Sequence, residues 1–509
     1  MLFRHSSSPK LLSIALVLVL IALVGVMSTT DVKSFYDNTF NTSTFNTSTF
    51  NTNTMDQADT GVVMVQTREP EAAAEFLAAH DIAIVESLPV ANVLLLSGHP
   101  ELLARLAEMP GFTGVVENHS MHIASTRETH IQETPIHTTP QVDDESAVTA
   151  ETLRTNVRQS DSDYPSLVNA DLLHVEGVRG AGVTVAILDT GVMNQHALNK
   201  DSNNRDRLLA KYDAITFQNE VLDQEDGVSD PNGHGSHLAG IAVSSQETLD
   251  GGYKGIAPDA QLVVVRAFDE NGSGTYEDVL RGLNWIYEHR ETYNIRVVNL
   301  SFSALPRSFY FDDPVNQAVM KLWQAGIVVV ASAGNTGPEP MTVGVPGNNP
   351  YAITAGAMTD SYTPDDPSDD RLASFSAAGP TVEAFVKPDL IAPGGHMTSM
   401  MAKNSTLATT HPEFYVGSNY FTMSGTSQAA AVVSGVAALM LSANPELSPD
   451  DVKCRIKSTG RMATSIDGKL LYSVFQQGAG LIDAYAAVYS DASDCANRGL
   501  DVAADLSGE

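Results

Sequence analysis

From about Tyr164 onward, unbroken runs of Val, Ile and Leu alternate with helical patterns, and this constrains the fold more than any other feature. Ala260 to Ala267, Arg296 to Ser301, Ile327 to Ala331 and Ala352 to Ala357 read as strands. Tyr276 to Arg290 and Pro314 to Ala325 read as helices between them. A strand that is apolar at every position is buried on both faces, as in a parallel sheet between two helix layers. The expected class is therefore α/β, a doubly wound and mostly parallel sheet with helices on both faces. Ligands of such sheets bind beyond the carboxyl ends of the strands. Asp189, Ser301 and Asn335 all fall at such ends.

Ser424-Gly425-Thr426-Ser427-Gln428-Ala429-Ala430-Ala431 opens a small-residue and apolar run that continues to about Leu441. It holds neither Pro nor a charge, which predicts a buried helix from near Thr426. Ser427 then lies in the first turn, where unpaired backbone N–H groups and the positive end of the helix dipole collect. A hydroxyl there is placed to attack a carbonyl whose oxyanion those N–H groups hold. Alone, the pattern reads as a Ser/Thr cap on a core helix. Two upstream blocks change that.

Val183 to Val192 is a short apolar strand ending on Asp189 and a Gly turn. Asn232-Gly233-His234-Gly235-Ser236-His237-Leu238-Ala239-Gly240 sets a histidine between glycines, ahead of residues that suit a buried helix. Acid, histidine and serine are the parts of a nucleophile whose base is held in one tautomer by a buried carboxylate. The order Asp189, His234, Ser427 resembles the subtilisin-like serine proteases (subtilases, peptidase family S8). Their signatures read D-T/S-G, H-G-T-H-x-A-G and G-T-S-M-A-x-P. The resemblance implies a serine endopeptidase with Ser427 as nucleophile, His234 as general base and then acid, and Asp189 orienting it. Ala331-Ser332-Ala333-Gly334-Asn335-Thr336-Gly337 is similar to the family's A-A-G-N-x-G block, which gives Asn335 the role of oxyanion donor.

Asn299-Leu300-Ser301-Phe302-Ser303 and Asp269-Glu270-Asn271-Gly272-Ser273-Gly274 match the segments that flank the family's substrate groove. The resemblance thus assigns substrate binding to Ser301, Phe302, Ser303, Gly272, Ser273 and Gly274, with the peptide added as a strand. Four departures stand out. Ser236 replaces Thr, Gln428 replaces Met, Ala431 replaces Pro, and Ser303 and Ala304 replace two glycines. The last adds bulk beside the primary specificity pocket. The match covers about Tyr164 to Tyr489. Two other functions stay open, a catalytically silent subtilase fold used for binding and a peptide ligase.

Upstream, Arg4, His5 and Lys10 precede an apolar run from Leu11 to Met27, either an export signal or an uncleaved anchor. Both imply export, so the enzyme is expected outside the cell, and on a membrane only if that segment is retained. An Asn/Thr-rich low-complexity stretch, 31–60, with a repeat from Phe40 to Thr54, reads as a flexible spacer. Gly61 to Ile123 has the element order β-α-β-β-α-β of a ferredoxin-like module, with helical patterns at Pro70 to His80 and Pro100 to Met109. Ahead of a subtilase domain it looks like the family's inhibitory propeptide, which makes the chain a precursor. The polar stretch 124–163 reads as a linker open to proteolysis. The catalytic domain is expected over 164–490 and an acidic tail over 491–509.

A net charge of −32 argues against nucleic-acid partners. Protein or peptide substrates and the chain's own propeptide are the expected partners, and a monomer is expected. Cys454 and Cys495 are too few for a disulfide scaffold; export would let them pair, but spacing alone leaves that open. The chemistry needs no cofactor. Asp360 to Asp370 is an oxygen-rich loop, either a solvated acidic loop or a structural calcium site.

Overall fold

The computed structural model describes residues 62–80, 82–97, 106, 111–123, 164–219, 230–249, 251–363, 369–465 and 467–508. The N-terminal apolar segment, the spacer, the linker and, save Leu106, the pattern at 100–109 lie outside these residues. So do Asp365 and Asp366.

Val62–Thr67 (β1), Ala83–Leu88 (β2), Val93–Ser97 (β3) and Phe112–Val116 (β4) pair antiparallel in the order β2-β3-β1-β4. Helix Pro70–Ala79 (α1) follows β1. Val63, Val65, Leu94 and Leu96 cluster with Ala73 and Leu77 of that helix. Met64, Val93 and Leu95, on the alternate positions, join the core of the larger domain instead. An antiparallel sheet ordinarily keeps one wet face. Here that face docks, which is why β1 and β3 read as continuous apolar runs. After β4 the chain leaves this sheet and forms one more short strand, Ser120–Ile123 (β5).

The larger domain continues with Thr184–Asp189 (β6), Leu208–Asp213 (β7), Gln218–Asn219 (β8), His234–Val243 (α2) and Gln261–Arg266 (β9). Ser273–Thr275 (β10), Tyr276–His289 (α3), Ile295–Leu300 (β11), Phe302–Ser303 (β12) and Pro314–Gln324 (α4) follow. Then come Val328–Ser332 (β13), Ile353–Thr359 (β14), Arg371–Leu372 (β15), Leu390–Pro393 (β16) and the hairpin-like Met397–Met400 (β17), Tyr415–Gly417 (β18) and Tyr420–Met423 (β19). Thr426–Ala443 (α5), Pro449–Thr459 (α6) and Val502–Ser507 (α7) complete the framework. The central sheet runs β15-β14-β13-β11-β6-β9-β7-β8, with β16 beside β14. Every pair is parallel except those made by the edge strands β8 and β15. This is the α/β class that the apolar runs predict, and β6 and β13 are buried at every residue.

The chain enters the sheet at β6, builds β7 and β9 on one side, then crosses to β11 on the other. Strand order therefore reverses at the β6/β11 pair, whose carboxyl ends carry Asp189 and Ser301. That is the crevice where open α/β sheets bind ligands. Helix α5 is long and apolar enough to cross a membrane, yet 89 % of it is buried in the protein as a core helix. Its small residues allow close crossing: a Cβ at Gly435 would lie 3.0 Å from the Ala242 carbonyl of α2 and 2.5 Å from Ile256.

The C-terminal part is pinned by charge and a covalent bridge. The buried Asp389 carboxylate takes Lys387 at 2.6 Å, Lys457 at 3.2 Å and Lys453 at 3.3 Å. Burial works to raise its pKa, but the three ammonium groups override that and hold it far below the usual carboxylate range. A disulfide joins Cys454 of α6 to Cys495, with Cα atoms 5.2 Å apart. Beyond it α7 docks: Tyr310 and Tyr351 donate their hydroxyls to Asp505 at 2.6 and 2.8 Å.

The small module sits against α3. Arg281 pairs with Glu86 at 3.0 Å while also holding Glu277 and Asp278 of its own helix, and Asn284 Oδ1 accepts the Val90 N–H at 3.2 Å.

Candidate active site

Asp189 is the last residue of β6 and His234 the first of α2, and both are fully buried. Asp189 Oδ1 lies 2.8 Å from His234 Nδ1 and also accepts the Thr190 N–H at 2.8 Å. The approach requires glycine at two positions. Gly233 holds a left-handed φ of +104° at the helix start, and a Cβ at Gly235 would lie 2.2 Å from the Gly191 carbonyl.

Behind this pair sits a residue that motif reading did not single out. Asp230, fully buried, accepts the Thr190 hydroxyl, the Gly233 N–H and the Ser236 N–H at 2.8 Å each, and the Ser236 hydroxyl at 2.6 Å. One carboxylate thus satisfies orphan donors of the first turn of α2 and ties them to the residue after Asp189. Ser236 keeps the hydroxyl this network needs and in turn accepts the Met193 N–H at 2.8 Å. The sequence signal was an acid just before a helix start, which by itself means only a cap.

Ser427 lies in the first turn of α5. Its Oγ donates to the Ser301 carbonyl at 3.1 Å, and Ser301 Oγ donates to the Ser427 carbonyl at 3.2 Å. Asn299 fixes Ser301 at 2.8 Å and is fixed by Ser434 of α5 at 3.0 Å. The Asn335 side-chain oxygen accepts both the N–H and the hydroxyl of Thr426 at 2.9 Å, so its NH2 end faces away from Thr426. Gly334 N–H donates to the same hydroxyl at 3.1 Å. Asp189 and His234 are therefore in contact, and Ser301, Asn335 and Ser427 form a second connected group. The link between the groups is not made in this state: His234 Nε2 is buried without a hydrogen-bond partner.

Of the residues expected along a groove, Gly272, Ser273, Gly274, Phe302 and Ser303 flank a strand of the chain itself. Strand β5 lies between β10 and β12, antiparallel to both. His122 pairs with Ser273 and with Ser303, Met121 with Gly274, and Ile123 with Phe302. The Ile123 N–H donates to the Gly272 carbonyl at 3.1 Å. Met121 and Ile123 are buried; Ser120 and His122 face out.

Two neighbours complete the surroundings. His237, in the first turn of α2, contacts the carbonyls of Met397 and Phe421 at 3.1 Å; burial, then repulsion from His234, push its pKa down to about 3. Gln428 is fully buried, and neither polar atom of its amide has a partner. Around the acidic loop, Asp369 accepts the Thr363 hydroxyl and Asp360 the Tyr362 N–H. No group of three or more metal-ligating side chains occurs among the described residues.

The model of the Subtilase family matches residues 180–480. The chain belongs to the subtilase family. Among curated relatives, the serine protease AprX of Bacillus subtilis is 39 % identical over 284 residues, 55 % of this chain and 61 % of AprX. Subtilisin DY of Bacillus licheniformis is 31 % identical over 323 residues, 63 % of this chain and 96 % of the subtilisin. The crystal structure of fervidolysin from Fervidobacterium pennivorans, a keratinolytic enzyme related to subtilisin, superposes with a TM-score of 0.61. That match covers 86 % of this chain and 63 % of fervidolysin at 18 % identity, and so speaks for the fold. The chain thus spans less than two thirds of the length of AprX and of fervidolysin.

Proposed function

We propose that this subtilase hydrolyses peptide bonds through Ser427, His234 and Asp189, and that it is made as a precursor whose groove is closed by its own N-terminal module. The observation that carries the catalytic reading is the fully buried Asp189–His234 contact of 2.8 Å. With Nδ1–H committed to the carboxylate, Nε2 is the basic nitrogen. It takes the Ser427 proton as Oγ attacks the substrate carbonyl, whose π electrons move onto oxygen. Asn335 Nδ2 and the Ser427 backbone N–H donate to that oxyanion. Collapse expels the amine, which receives the proton from His234. Water then attacks the acyl-enzyme by the same steps. For this cycle Ser427 Oγ must leave the Ser301 carbonyl and meet His234 Nε2, a contact that commonly tightens only in the reacting complex.

The precursor reading is supported by β5. It lies in the groove as a substrate would, with main-chain pairing on both sides and Met121 and Ile123 inserted. The module then acts as an intramolecular inhibitor until the stretch beyond Ile123 is cut. The basic and apolar N-terminal segment fits export, giving a secreted enzyme acting on protein or peptide substrates. No step of this chemistry uses a metal or cofactor.

A fluorophosphonate probe tests the reading on the matured chain. Labelling at Ser427 with hydrolysis of a casein substrate is expected, and Ser427→Ala should lose both. Failure of the wild type to label would favour a silent, binding fold. Transfer to an added amine in preference to water would favour a ligase.

A further inference from the structure

We propose that Ser303 sets the size of the substrate side chain on the acyl side of the scissile bond and restricts it to small residues. This rests on the peptidase reading above and concerns which bonds that site accepts.

Strand β5 supplies the register. His122 stands across from Ser303 and Ile123 across from Phe302. The residue just before Phe302 is Ser301, whose carbonyl receives the Ser427 hydroxyl at 3.1 Å. A peptide bound in this register offers to Ser427 the carbonyl of the residue just past the Ile123 position. Side chains alternate along a strand, and directly opposed residues share a face. Met121 and Ile123 are buried on one face, while Ser120 and His122 face the other. The next residue therefore projects on the face of His122 and Ser303.

On that face the walls are glycines and the projecting side chain is Ser303. A Cβ at Gly334, beside Asn335, would lie 3.0 Å from Ser303 Oγ; one at Gly344 would lie 2.1 Å from it. The two-way hydrogen bonding of Ala304 with Val345, at 3.0 and 2.8 Å, presses the 344–345 backbone against 303–304. Ala333 and Val343, next in sequence to these two glycines, form a small buried cluster with Ala377. The Ser303 hydroxymethyl thus occupies the space between two glycine Cα atoms that glycine at 303 would leave open. A short side chain fits beside it, and a ring or branched chain meets it. The residue that follows Ile123 in the sequence is Ala124, of the size such a recess takes.

The test uses the matured enzyme and peptide amides of sequence Met-His-Ile-Xaa with a fluorogenic leaving group, Xaa being Ala, Ser, Leu or Phe. Fluorophosphonate titration counts the active Ser427 sites in each preparation, so that loss of folding is separated from altered preference. Wild type should favour Ala over Phe in kcat/KM by about tenfold or more, the scale on which pockets sort side chains by size. Ser303→Gly should shift that ratio toward Phe by about tenfold or more, with Ser303→Ala in between. Wild type cleaving after Phe as well as after Ala would overturn the proposal, as would an unchanged ratio in Ser303→Gly. No probe labelling and no cleavage of any peptide would instead overturn the peptidase reading on which it stands.

Discussion

The Asp230 carboxylate lies 2.8 Å from the Thr190 hydroxyl, and that hydroxyl lies 3.2 Å from Asp189. Two acids thus share one threonine behind His234. Asp189 holds the ring, while Asp230 holds the turn that carries it and the turn that carries Asp189. The second acid therefore acts on the geometry of the pair.

Asp230→Asn tests this. The amide has one acceptor oxygen in place of two, so either the Thr190/Gly233 pair or the Ser236 pair loses its partner. Leaving buried donors unpaired costs about 1–3 kcal/mol. Unfolding stability should fall by that order, and kcat should fall with KM nearly constant. A variant with normal kcat and lowered stability would reduce Asp230 to a fold-holding role.

Asn335→Ala removes the side-chain donor proposed for the oxyanion. Turnover should fall about 10²–10³-fold, a figure carried over from the corresponding asparagine of a subtilisin. Because the donor acts on charge that develops only in the transition state, the loss should appear in kcat. A loss confined to KM would contradict the role. Thr426→Val should give part of the same loss, since Thr426 fixes the Asn335 oxygen at 2.9 Å through both its N–H and its hydroxyl.

The main sheet was legible in the sequence because its strands are buried on both faces. Val328–Ser332, for instance, carries no polar alternation that a different register might exploit. The candidate catalytic residues were marked by three short motifs at strand and helix ends. Asp230 was not, since an acid before a helix is the commonest of caps. Nor was the place of Ser120–Ile123: four residues give little periodicity, and their partners Ser273 and Ser303 lie more than a hundred residues away. The docking of α7 through Asp505 was hidden for the same reason, as composition shows only an acidic tail.

Maturation offers a third prediction. Continued by one residue, the register of β5 against Phe302 and Ser303 sets Ala124 opposite Ser301, so the precursor reading expects cleavage at Ala124–Ser125. Intact-mass and N-terminal measurements on matured wild type should find Ser125 first, and Ser427→Ala should remain uncut. Glu86→Gln weakens the anchor to Arg281 and should speed release of the cut module, read as a shorter lag before activity appears. Cleavage only at a distant site in 126–163 would contradict the register.

Acid stability carries opposing contributions from two buried groups. His237 is held at about 3 by burial and by repulsion from His234, below the 6.5 of an unfolded chain. Between those values the unfolded chain binds the extra proton, so this stability is full above pH 6.5 and is lost as pH falls toward 3. Asp313, which caps α4 and accepts the Tyr276 hydroxyl, is raised by burial from 3.8 to about 6. Its contribution is full below 3.8 and is lost as pH rises through 6. Urea unfolding of Ser427→Ala, with and without His237→Gln, isolates the histidine. The stability difference should shift in favour of His237→Gln as pH falls from 7 to 5, by at most about 1.4 kcal/mol per pH unit. A constant difference would show that His237 does not titrate differently on unfolding.

Peroxide sensitivity turns on Gln428. Where subtilases usually carry methionine after the nucleophile, oxidation places a polar sulfoxide beside the oxyanion site. Gln428 has no sulfur, so that route is absent. In sequence the nearest methionine is Met423, but in space Met401 matters more: a Cβ on Gly233, next to His234, would lie 3.0 Å from its sulfur. Met401 is fully buried, which slows its oxidation, and damage there should reach activity through packing. Mild peroxide should therefore leave wild-type activity largely intact. Gln428→Met should become sensitive, with activity lost in proportion to sulfoxide at position 428. The same change replaces a buried amide that has no partner on either polar atom, so it should also raise unfolding stability, by about 1–3 kcal/mol. Activity and sulfoxide content followed together by mass spectrometry decide the first point, and thermal unfolding the second. Equal, rapid inactivation of both forms, tracking sulfoxide at 401, would move control of oxidation from the serine side of the site to the histidine side.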